Sequence, residues 1–161
     1  MKGVYLGIDL GTSAVKLLAV TRRGDIAGEA DESYPAIYPA GGMCEQSPYE
    51  WIAAISRAMR KLNLGKGDVL GIAVGGQMHG SVVLDGDGKS VRPCILWNDG
   101  RSHEETKYLN ETVGEEALVR MTGNIAFAGF TAPKLMWIKR NEPENFARIR
   151  KIMLPKDYVV Y

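Results

Sequence analysis

The chain has 161 residues, a length suited to one domain with a real core, and its 45% hydrophobic and 24% charged residues are ordinary globular values. Its 20 basic and 19 acidic side chains nearly cancel, leaving no basic field for nucleic acid or anionic lipid. No apolar stretch approaches a membrane span and no signal peptide opens the chain; two cysteines without CxxC spacing, Cys44 and Cys94, indicate neither a disulfide framework nor a zinc site, so a reducing cytoplasm is the expected location.

Val4 to Ile8 is a β-prone run, and after the turn Gly11-Thr12-Ser13 another runs from Val15 to Thr21. A glycine turn within 22–25 returns the chain as a third strand from Ile26 to Tyr34, which makes a meander of hairpins rather than a βαβ unit. Pro35 to Pro48 is loop-like. Ser47-Pro48-Tyr49-Glu50 then predicts a helix start, with a capping serine, proline at the first helical position and glutamate three after the cap. Trp51, Ile52, Ile55, Ala58, Met59 and Leu62 follow at helical spacing, and Gly65 is expected to close the helix.

Val69 to Val74 is a near-continuous apolar run, as expected of a strand covered on both faces. It leads into Gly75-Gly76-Gln77-Met78-His79-Gly80, then a strand from Ser81 to Leu84, a turn at Asp85-Gly86-Asp87-Gly88, and a strand-like stretch from Arg92 to Trp97. Helical patterns cover roughly 102–110, 115–121 and 131–140. A short helix after Pro143 and a strand at 152–154 follow. The closing "LPKDYVVY" carries no terminal-helix signal and reads as an element cut short.

Two readings of the first turn stand side by side. In one, Gly11 supplies backbone freedom, Thr12 and Ser13 are turn formers, and Asp9 is a turn-capping acid. In the other, successive N–H groups at 11–13 form an anion-binding concavity, Asp9 holds a metal through water, and Lys16 adds positive charge. The Walker and GxGxxG patterns are absent. The Gln77-Met78-His79 loop offers hydrogen-bonding groups for hydroxyls and an apolar side chain for a sugar face. Trp97, Asn98, Asp99 and Arg101 place an indole beside amide, carboxylate and guanidinium, which suits a polyol; singly, each is as readily a core residue, a turn former or a solvated charge.

Taken in order, GIDLGTSAVK, GQMHG, LWNDGR, TGNIAFAGFTAPKLMWIKRNEP and LPKDY resemble the N-terminal part of the FGGY carbohydrate kinases, and most closely their bacterial xylulokinase branch. The resemblance runs from Val4 to Tyr161. It implies an α/β fold with an actin-like, ribonuclease H-like mixed sheet and helices on both faces, one lobe of a two-lobe sugar kinase. It also implies ATP and Mg²⁺ as cofactors, with D-xylulose converted to D-xylulose 5-phosphate. On this likeness Asp9 matches the acid near the magnesium, Gly11, Thr12 and Ser13 the phosphate hairpin, with Lys16 beside it. Gln77, Met78 and His79 match the sugar loop, and Trp97, Asn98, Asp99 and Arg101 the block lining the same cleft.

The family needs roughly three times this length, beyond the usual single-domain size. The catalytic base and adenine pocket lie in the part not represented, so one lobe, 1–161, is expected to lack turnover. Its partners are then the sugar, ATP and a C-terminal lobe, with room for a homodimer of the full-length enzyme. Apolar surface meant for the other lobe would be exposed and promote self-association. The rivals are a kinase for ribulose or gluconate, a non-catalytic sugar-binding module, and an actin-like ATPase; an Arg-Glu pair, typical of glycerol kinases, is absent where Met78-His79 stands.

Overall fold

The computed structural model describes residues 3–65 and 67–161. They form two compact units, each built from separate pieces of chain. A strand unit takes the described residues of 1–36, 47–77 and 155–161; a second unit takes 37–46 and 78–154.

The strand unit opens with β1 (Val4–Leu10), β2 (Ala14–Thr21) and β3 (Ile26–Ser33), the predicted meander. β5 (Val69–Gly76) adds to β1 in parallel, giving the mixed order β3-β2-β1-β5. Strict alternation decides the faces: Val4, Leu6, Ile8 and Leu10, with Val15, Leu17 and Ala19, are buried, while Tyr5, Asp9, Lys16 and Leu18 are exposed. Helix α1 (Pro48–Leu62) packs on β2 and β3, and α6 (Pro155–Val160) on β5 and α1, with Trp51 edge-on to Tyr158 at 6.4 Å.

Four expectations change here. Ser47 does sit at the N-cap in extended conformation, but its side chain makes no capping bond; its carbonyl accepts from the Glu50 N–H at 3.1 Å. Pro48, with φ already helical and no N–H to satisfy, sets the helix start instead. The helix ends before Gly65, because Asn63 takes the left-handed conformation at φ 49°. The apolar run of β5 is not covered on both faces: among the described residues it is the sheet edge, with Leu70 42% and Ile72 61% exposed. Finally, the closing residues do form a helical turn, α6.

Glu32, on β3, accepts from Lys61 at 2.8 Å and Arg57 at 3.1 Å on α1. These bonds, Lys61's first, hold its carboxyl below the ordinary 4.5. A lowered acid stabilises the fold above its unfolded pKa and loses that contribution as pH falls through the folded value. Between about pH 5 and about pH 3 the melting temperature of the wild-type chain should therefore fall more than that of Glu32→Gln. Parallel pH profiles would refute the coupling.

The second unit holds two antiparallel pairs, β4 (Glu45–Gln46) with β7 (Cys94–Ile95) and β6 (Val82–Leu84) with β8 (Lys151–Met153). Helices α2 (His103–Tyr108), α3 (Glu115–Thr122), α4 (Thr131–Asn141) and α5 (Pro143–Arg148) follow the predicted order. A π-helical turn, Leu109–Gly114, joins α2 to α3. The core centres on Val83, Ile95 and Ile138, with Leu135, Trp137 and Phe146 around them. The Asp85 tetrad is a hairpin turn: Asp85 Oδ1 accepts from the N–H groups of Asp87 and Lys89. Among the described residues no helix is long and apolar enough to cross a membrane.

Candidate functional site

In the strand unit, Asp9 stands on the exposed face near the end of β1, opposite Lys16 on β2 and Gly75 on β5. Lys16 in turn faces Asp31 on β3. This face carries a cavity of about 620 Å³ lined by Asp9, Lys16, Leu18, Glu29, Asp31 and Gly75 among others. Its carboxylates outnumber its one ammonium three to one, so it favours cations and disfavours a bare polyphosphate. Among the described residues no three His, Cys, Asp or Glu converge as a metal cage. One hard carboxylate donor nevertheless suits Mg²⁺, which keeps most of its waters and takes further oxygens from phosphate.

The Gly11-Thr12-Ser13 turn links β1 to β2. The Gly11 N–H points inward, donating to Ala14 O at 3.0 Å, so it is engaged within the hairpin. A side chain at position 11 would meet that same carbonyl at 2.8 Å, so the glycine is there for close approach. The buried Tyr34 braces the turn by donating its hydroxyl to Gly11 O. Burial, then the nearby Asp9 charge, pushes its phenol well above 10, so it remains a donor. Nothing local in "ESYPA" marks this role.

At the end of β5, Gly76 has φ +136° and the Gln77 N–H donates to Leu10 O at 2.6 Å. The Gln-Met-His run is thus divided. Gln77 completes the strand unit, while Met78 and His79 begin the second.

In the second unit, His79 has a left-handed backbone at φ 69°, and its ring stacks on Phe130 with centroids 4.4 Å apart and planes 14° from parallel. Its carbonyl accepts from the Thr131 hydroxyl at 3.0 Å. Trp97 and Asn98 are exposed, and Gly129 lies so close to the Trp97 carbonyl that a Cβ there would be 2.7 Å away. The 128–130 loop is therefore in contact with both predicted blocks, the one at His79 and the one at Trp97.

Asp99 and Arg101 are different. Asp99 is buried, accepting from the Cys44 N–H at 2.5 Å and from the Arg101 side chain at 2.8 and 2.9 Å. Arg101 also pairs with Glu45 at 2.6 Å, and Glu45 with Arg92. The Arg101 guanidinium lies 4.8 Å from the Trp137 ring centroid. Desolvation opposes its charge, but Asp99 and then Glu45 outweigh that and raise its pKa. The two groups at the end of the Trp-Asn-Asp-Gly-Arg block face inward, engaged with one another.

Lys134 has no counterpart in the sequence reading. It is fully buried on α4, and its ammonium donates to the carbonyls of Ala128 at 3.1 Å, Phe130 at 3.1 Å, Gly129, and His79 at 3.4 Å. Burial pulls its pKa down to about 8, a shift partly offset by the Asp99 charge. A signal was available: Lys134 lies four residues before buried Ile138, on the same face of the helix.

Residues 4–161 match the family model for the FGGY family of carbohydrate kinases, N-terminal domain. The chain belongs to this family. It is 42% identical over 158 residues to the xylulose kinase of Staphylococcus xylosus, covering 97% of this chain and 33% of that one. A solved xyloylose kinase from Brucella ovis superposes with a TM-score of 0.91 at 45% identity, covering 98% of this chain and 33% of that one. A gluconate kinase from Lactobacillus acidophilus reaches the same TM-score at 23% identity, over 99% of this chain and 33% of that one. The fold alone therefore does not choose the sugar. This chain spans about a third of the length of the relatives it matches.

Proposed function

We propose that this chain is the N-terminal lobe of an ATP-dependent kinase that phosphorylates the terminal hydroxyl of D-xylulose. The observation that carries the reading is the 42–45% identity to xylulose kinases along essentially the whole chain. The geometry is compatible with it. Asp9 would hold Mg²⁺ through water beside the triphosphate, and the exposed Ser13, with Thr12, would cap the phosphate end. Bound Mg²⁺ would neutralise phosphate charge as the γ-phosphoryl transfers. The carboxylate-rich face around Asp9 then admits ATP as its magnesium complex rather than as the free anion.

Met78, 47% exposed, and His79 would contact the sugar together with Trp97 and Asn98, whose side chains are on the surface. Gln77 would support that loop from the end of β5. Asp99 and Arg101 would act from inside, keeping the Trp97-Asn98 segment in place. The exposed β5 edge and the apolar side chains on it, Leu70 and Ile72, are suited to packing against more of a larger kinase. No carboxylate of these 161 residues is assigned as base for the sugar hydroxyl, so the lobe alone is expected to be inactive.

The test is a chimera. This chain is joined to the remaining two thirds of the S. xylosus xylulose kinase and assayed for sugar-dependent ADP release from Mg-ATP. D-Xylulose should support turnover at least tenfold better than D-ribulose or D-gluconate, and the 161-residue chain alone should give none. Preference for gluconate in a folded chimera would overturn the sugar assignment. Turnover by the chain alone would overturn its reading as half an active site.

A further inference from the structure

We propose that Lys134 is a positioning residue for His79, and that its buried ammonium fixes the orientation in which the imidazole meets the sugar. The inference rests on the sugar-kinase reading for its functional consequence, but not for its structural one.

An ammonium has three protons, and Lys134 offers them to four carbonyls, those of Ala128, Gly129, Phe130 and His79. At least one proton is shared, and the His79 contact, at 3.4 Å, is the longest of the three distances quoted above. A carbonyl convergence of this kind is costly to assemble, because aligned backbone dipoles repel one another. It persists because a cation sits at its centre, where low dielectric strengthens every charge–dipole contact. The same convergence ties the 128–130 loop, which bears Phe130, to the backbone of residue 79.

Two features of His79 need that restraint. A non-glycine residue at φ 69° is uncommon and strained relative to right-handed conformations. The ring is also held flat against Phe130, which confines the imidazole nitrogens to one plane. Thr131 reinforces this from the first turn of α4, its hydroxyl donating to the same His79 carbonyl at 3.0 Å. Lys134 and Thr131, on one helix, thus clamp one carbonyl of a loop residue more than fifty positions earlier. Lys134 touches the backbone rather than any reacting atom, so its part is positioning, by preorganising the ring before the sugar arrives.

His79 and His103 are the only histidines in the chain, so imidazole NMR signals can be assigned by substitution alone. In the wild-type chain the His79 ring signals should lie upfield of those of His103, from the ring current of Phe130. Lys134→Met, which keeps the length and removes the charge, should move the His79 signals toward free imidazole and leave those of His103 in place. D-Xylulose affinity, read by titration of the same signals, should fall about tenfold or more. Thr131→Val should give a smaller change in the same direction, and Thr131→Ser, which retains the hydroxyl, should restore wild-type signals.

Should Lys134→Met not fold, the Thr131 pair decides. His79 signals unchanged in both folded Lys134→Met and Thr131→Val, or in Thr131→Val alone if the lysine variant is unfolded, would overturn the proposal. If the wild-type chain shows the Phe130 shift, and the variants lose it, but the folded chimera gives no turnover with D-xylulose, the positioning stands and the sugar reading fails.

Discussion

Replacing Asp99 by alanine is expected to destabilise the chain by about 3–5 kcal/mol, the usual result of breaking a buried ion pair from one side. The carboxylate is buried beside Arg101 and accepts the Cys44 N–H. Its removal leaves that N–H without its acceptor and places on Glu45 the whole task of neutralising Arg101. Glu45 is already paired with Arg92, which has Glu142 at 3.3 Å as a second partner, so Arg101 would be left with a carboxylate that it shares. A urea-denaturation midpoint shift at constant slope measures the loss. Asn98→Ala is the matched control: its side chain is exposed, so stability should change by less than about 0.5 kcal/mol. A loss below about 1 kcal/mol for Asp99→Ala would mean that the buried network contributes little and that Asp99 is available for a more direct role.

Gly76→Ala should cost roughly 2–5 kcal/mol, from backbone strain and overpacking together. At φ +136° an L side chain is strained whatever the space around it. There is also no space: the added Cβ would stand 2.5 Å from Leu10 N and 2.6 Å from Leu10 Cβ, with the Leu10 carbonyl nearer still. These are strand atoms fixed by the β1–β2 and β1–β5 ladders, so they cannot rotate aside as a surface lysine would. Relief requires β5 to withdraw from β1, which breaks the 2.6 Å bond from the Gln77 N–H to Leu10 O. Gly24→Ala provides the comparison, since its φ is also positive but a Cβ there meets nothing within 4 Å. A thermal melt in which the two variants lose equal stability would show that strain alone, without the contact on Leu10, accounts for the effect.

Much of this fold is legible in short stretches of sequence because the forces that shape them are local. Alternating apolar residues at Val4, Leu6, Ile8 and Leu10 define a one-sided strand, and a Gly-Thr-Ser turn followed by the same alternation makes the hairpin. Proline at position 48 starts α1 without any help from the rest of the chain. The five ordered blocks point to the family, which the match over residues 4–161 shows.

What sequence reading missed depends on partners distant along the chain. The apolar run of β5 reads like a covered strand, since hydrophobicity reports what a segment can bury and not whether a neighbour lies over it; among the described residues it is an edge. A charged residue in a polar-looking motif carries no local mark of burial. Asp99 and Arg101 turn inward because the Cys44 N–H and the Glu45 carboxylate, more than fifty positions earlier, wait there. Lys134 is the same lesson reversed. In sequence it is one cation in a helix, and only the convergence of carbonyls from residues 79 and 128–130 gives that cation a place. Periodicity and turn chemistry are encoded within a few residues; the cost of burying a charge is decided by what tertiary structure sets against it.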